Sequence, residues 1–143
     1  MKHAKGFSLI EVLIFVTILS LFFVAAISVV SVSLRNMKNN EHRILATRYA
    51  EELMEWLRGQ KEEDWSVLVS NTGTYNFCTS PITEWPQIGA CAVAEIIGET
   101  IYTRTVTIDQ PNSNQISVSI VVTWTEVGNT YKVPMKTVFS IWE

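Results

Sequence analysis

Glu11 is the residue in this chain best placed to do chemistry. It sits one turn inside a hydrophobic run, and residues 12–34 carry no charged side chain. A carboxylate in a lipid-facing helix costs on the order of 2–3 kcal/mol or more. A plain anchor would carry leucine there, so Glu11 is expected to have a specific partner. The chemistry is charge pairing: burial raises the pKa of a carboxylate unless a cation is close. Cys78 and Cys91 are the second candidate pair, with twelve residues between them. On the outer side of a membrane they are expected to form a disulfide, closing a small loop for about 2–4 kcal/mol. A free redox thiol pair is the alternative. A metal site is not expected, because two cysteines with no nearby histidine do not make a four-ligand set. His3 lies before the apolar run, and His42 is expected on the exposed side of a helix.

The elements that must hold these groups follow from patterning. Residues 12–34 would span about 34 Å as a helix, enough for a bilayer core of about 30 Å. Lys2 and Lys5 precede the run, which puts the N-terminus in the cytoplasm and the remainder outside. Arg35, Lys38 and Arg43 oppose this slightly. A cleaved secretory signal fits poorly, since its apolar core would be shorter and free of glutamate. No cysteine follows the run directly, which argues against a lipoprotein. Good helix formers then continue, and the helix is expected to reach Arg58, with Gly59 as its stop. Leu45, Tyr49, Leu53, Trp56 and Leu57 recur at helical spacing and read as a core-facing stripe. A partner-binding groove helix is the sharper alternative.

Beyond residue 98 the period changes to two. Three strands are expected, over 101–108, 116–125 and 131–141, with a fourth short one over 74–78. Residues 109–114 read as a turn-forming loop, and Gly128-Asn129 suits a tight hairpin. Pro134 points to an edge strand or a bulge. The expected topology is an antiparallel meander with one face packed on the helix. Trp65, Trp85 and Trp142 fall in or beside loops and edges; core or rim packing is the ordinary reading, and a surface contact is the alternative.

The segment Gly6-Phe7-Ser8-Leu9-Ile10-Glu11-Val12 resembles the processing and methylation motif of type IV pilins and type II secretion pseudopilins. The family pattern is a glycine, a cleaved bond, a methylated phenylalanine and a glutamate four residues on. The resemblance covers about the first thirty residues. It implies that a prepilin peptidase cuts between Gly6 and Phe7 and methylates the new amine of Phe7. It implies that Glu11 meets the N-terminal amine of a neighbouring subunit. Elementary chemistry agrees: Gly6 offers a protease bare backbone, and cleavage creates a cation one turn from Glu11 on the same helix face. The implied fold is α+β and pilin-like, a long N-terminal helix packed by its second half on a small antiparallel sheet. Residues 1–6 would be a cleaved leader, 7–34 a transmembrane or filament-core helix, 35–60 its amphipathic half, and 61–143 a β domain with a disulfide loop. Many major pilins have a helix-breaking proline in the apolar half; here the stretch reads Ala25-Ala26-Ile27-Ser28-Val29. That points toward a minor pilin or a pseudopilin.

Three function classes compete. The first is a structural subunit of a pilus or pseudopilus, with the peptidase, other pilin or pseudopilin subunits, an inner-membrane assembly platform and the bilayer as partners. It needs no cofactor and no catalysis. The second is a membrane-anchored enzyme, which finds no Gly-rich phosphate loop, metal-ligand cluster or serine–histidine constellation to support it. The third is a binding module: a tip adhesin, a DNA-uptake minor pilin or a plain anchored binding domain. Nucleic acid is not an expected partner, because the region after Lys61 holds only Arg104, Lys132 and Lys136 against nine acids.

Overall fold

The computed structural model describes residues 8–86, 97, 101–126 and 128–141. The elements run α1 (Leu9–Glu63), α2 (Trp65–Ser70), β1 (Gly73–Asn76), β2 (Tyr102–Asn112), β3 (Gln115–Glu126) and β4 (Asn129–Ser140). The strands form one antiparallel sheet in the order β1-β2-β3-β4, the expected meander. The chain divides into two compact units, Met1–Glu41 and His42–Glu143.

In the first unit α1 is unbroken, as the absence of proline and glycine predicts. Its apolar side chains are exposed, from Leu9 at 78% to Leu34 at 58%. Thr17, Ser20, Ser28 and Ser31 turn their hydroxyls back on Ile14, Thr17, Val24 and Ile27 carbonyls at 2.8–2.9 Å. Each donor is thereby satisfied within the helix, which removes the main cost of carrying a hydroxyl through an apolar medium.

The second unit holds the core. Ala46, Ala50, Leu53, Met54 and Leu57 of α1 are buried, and so is the inward row Ile116, Val118, Ile120, Val122 and Trp124 of β3. Together with Val106 and Ile108 of β2 they form one cluster. Each fully buried aliphatic side chain of this kind contributes about 1.5–3 kcal/mol. The small residues Ala46 and Ala50 leave room for the sheet to approach, and Leu53 and Leu57 fill the space between.

Two boundaries differ from the sequence expectation. α1 passes through Gly59 and stops at Glu63. A Cβ at Gly59 would meet nothing within 4 Å, so this glycine is an open helical position, not a cap. The stop is Asp64, whose extended backbone (φ −156°, ψ 106°) starts α2 instead. Its carboxylate accepts from the Ser66 N–H at 2.8 Å and the Ser66 hydroxyl at 2.6 Å. The expected 109–114 loop is also mostly strand. β2 runs on to Asn112, which pairs with Gln115, with the register irregular between Asp109 and Asn112. Pro111 has no N–H to give the ladder, which accounts for the irregularity at that point. At the other hairpin Glu126 pairs with Asn129, and Gly128 takes a left-handed φ of 77°.

Candidate functional site

Glu11 lies in the first turn of α1. Its N–H donates to the Ser8 carbonyl at 3.0 Å, and Val12 shares that acceptor at 3.2 Å. The residue is exposed, as are its neighbours along the helix. No ion pair to Glu11 occurs among the described residues. A carboxylate at the start of a helix is favoured by the positive end of the helix dipole. The apolar stretch of α1 has no buried residue. By length and composition α1 can cross a membrane. Gly6 and Phe7, the expected cleavage and methylation positions, lie outside the described residues.

Cys78 follows β1 and is half-buried. Its expected partner Cys91 lies outside the described residues, as does Trp142. The segment carrying Cys78 is fixed by two sets of contacts. The first is a clasp around Arg104 of β2, which is fully buried. Its guanidinium donates to the Tyr49 carbonyl at 2.7 Å, the Thr79 carbonyl at 2.7 Å and the Glu52 carboxylate at 3.0 Å. Glu52 also accepts from the Ser80 hydroxyl at 3.0 Å. Burial holds the Arg104 guanidinium below its ordinary pKa range, and the hydrogen bond and charge of Glu52 pull it back up. The second set is aromatic. Trp85 packs edge-on against Trp56 at 5.1 Å between ring centroids and against Tyr75 at 5.8 Å, and its indole N–H donates to Gln60 at 3.0 Å. Trp65 is likewise half-buried against the core. Trp65 and Trp85 therefore take the packing role.

His42 departs from expectation. It is half-buried, with Nδ1 hydrogen-bonded to the Tyr102 hydroxyl and Nε2 3.7 Å from the Glu126 carboxylate. Its ring also lies 6.2 Å from that of Trp124. The signal was present in the spacing: His42 precedes Ala46, Tyr49 and Leu53 by four, seven and eleven residues, on the buried stripe. Arg104 had a similar signal. It shares the inward phase of β2 with Tyr102, Val106 and Ile108. Beside the clasp is an open pocket of about 350 Å3 lined by Leu45, Arg48, Tyr49, Glu52 and Ser80. Among the described residues no group of three or more His, Cys, Asp or Glu side chains converges.

No curated protein and no solved structure matches the chain. Residues 1–27 match the family model described as the prokaryotic N-terminal methylation motif. Over that segment, whose sequence holds Gly6, Phe7 and Glu11 ahead of a charge-free apolar run, the chain carries the prepilin motif of type IV pilins and pseudopilins.

Proposed function

We propose that this chain is a structural subunit, a minor pilin or pseudopilin, of a type IV pilus or a type II secretion-like filament. A prepilin peptidase cleaves between Gly6 and Phe7 and methylates the Phe7 amine. Before assembly the apolar half of α1 spans the inner membrane, N-terminus in the cytoplasm and β domain outside. On assembly the apolar half leaves lipid for the filament core, delivered by an inner-membrane platform, and Glu11 pairs with the terminal amine of a neighbouring subunit. The carrying observation is the family match over residues 1–27 on a helix that exposes its entire apolar half. An apolar surface of that extent requires lipid or other helices to cover it.

The pairing serves specificity more than net stability. Two opposite charges brought together in low dielectric roughly offset their desolvation, while a misregistered pair leaves a charge stranded. In the β domain we propose that Cys78 and Cys91 are joined, pinning the loop between them to the segment already clasped by Arg104. The proposed role needs no cofactor and no catalysis.

The test is the mature N-terminus. Mass spectrometry of protein from cells with an active peptidase should find a chain beginning at N-methyl-Phe7. Substitution of Gly6 by a bulky residue should leave the precursor uncut. A precursor that keeps its first six residues and still enters filaments refutes the proposal.

A further inference from the structure

β4 closes one side of the sheet in the described structure, with β3 as its partner. It is twelve residues long, and its register with β3 runs from Asn129 to Ser140 without a shift. A long, regular outer strand of this kind is a ready template for another strand. Pro134 lies at its middle, opposite Val121. Having no N–H, proline fits an uninterrupted ladder only with its nitrogen turned away from the partner strand. Backbone groups alternate in direction along a strand, so the parity of Pro134 sets the rest. Thr130, Lys132, Lys136 and Val138 share its phase, and their N–H groups point outward. Tyr131, Val133, Met135, Thr137 and Phe139 bond to β3. The hairpin agrees, since a two-residue connection makes Glu126 and Asn129 a bonded pair.

The outward row is therefore Thr130, Lys132, Pro134, Lys136 and Val138, all exposed. Its central donor is missing, and a lysine stands on each side of the gap. An incoming strand would lose one hydrogen bond at its centre. It would also have to accommodate two ammonium groups beside its own side chains. The opposite edge offers little more, because β1 has four residues.

We propose that the β4 edge is barred to strand addition by Lys132, Pro134 and Lys136, so that a second copy of this chain does not extend its sheet. The barrier is a property of the folded domain and holds whether or not the chain assembles through Glu11.

The test uses full-length protein in detergent micelles. The variant K132T/P134T/K136T should keep the native far-UV circular dichroism spectrum. It should form thioflavin T-positive assemblies at least tenfold faster than the native chain. In the native chain the amides of Thr130, Lys132, Lys136 and Val138 should exchange with deuterium at least tenfold faster than those of Tyr131, Val133 and Met135, at low and at high protein concentration. A folded triple variant that associates no faster overturns the proposal. So does slow exchange at the four outward amides, which decides the matter alone if the triple variant fails to fold. Loss of N-terminal processing, by contrast, would count only against the pilin reading.

Discussion

Replacing Arg104 by methionine tests the clasp that fixes the Cys78 segment. Methionine can fill much of the space but offers no donor. Three hydrogen bonds disappear, two to backbone carbonyls and one to Glu52. The three losses are unequal. Tyr49 sits inside α1, so its carbonyl retains the helical acceptor role. Glu52 is 30% exposed and keeps the Ser80 hydroxyl, so water and Ser80 soften its loss. The Thr79 carbonyl loses a strong donor outright. Removing one partner of a buried ion pair costs about 3–5 kcal/mol, while the Thr79 carbonyl belongs to an exposed residue within reach of water. With Glu52 partly solvated, the lower part of that range applies, and the loss should be about 3 kcal/mol. For a unit of roughly a hundred residues that lowers the midpoint by on the order of 12–24 °C. The assay is thermal unfolding of the full chain in detergent, followed by near-UV circular dichroism and by tryptophan fluorescence, since Trp56 and Trp85 pack on this segment. Glu52→Gln, which keeps an acceptor but no charge, should cost less than half as much. An Arg104→Met variant within about 1 kcal/mol of the native protein would refute the clasp as an energetic element.

Glu11→Leu should preserve membrane insertion and reduce recovery in sheared filaments; immunoblots showing native amounts there would contradict the pairing role. Leu53→Ala, at a fully buried position facing the sheet, should lower stability by about 2–5 kcal/mol in chemical denaturation. The Asp64 cap predicts a pH dependence. Its hydrogen bonds from the Ser66 side chain and backbone hold its pKa below the ordinary value of 3.8. A depressed acid stabilises the fold above its unfolded pKa, and the contribution disappears as pH falls through the folded value. Exchange protection of the first turn of α2 should therefore drop only below about pH 3.8, and Asp64→Ala should remove the pH step.

Local patterns made the main elements legible. The charge-free run of residues 12–34 could only be a helix that needs an apolar surrounding, because a backbone there must satisfy its own hydrogen bonds. The period of two over 116–125 and 131–141, with Gly128-Asn129 between them, pointed to a hairpin before any contact was known. Glu11 stood out because a carboxylate among apolar residues is costly wherever they pack. Element ends were read less well, since Gly59 reads as a stop until the lack of any steric or backbone demand there is seen. Cys78 and Cys91 remain a proposal, because spacing along a chain does not set the distance between two sulfurs.

Tertiary structure alone decided the company of the polar residues. Sequence parity put Arg104 on the inner face of β2, where by itself an arginine is a defect. It becomes tolerable because Glu52, fifty-two positions away, and the carbonyls of Tyr49 and Thr79 are brought around it. His42 finds Tyr102 sixty positions away in the same manner. Periodicity reports which face a side chain takes, since that depends only on the residues beside it. It cannot report what waits on that face, because the facing residue belongs to another element whose docking is set by the whole core.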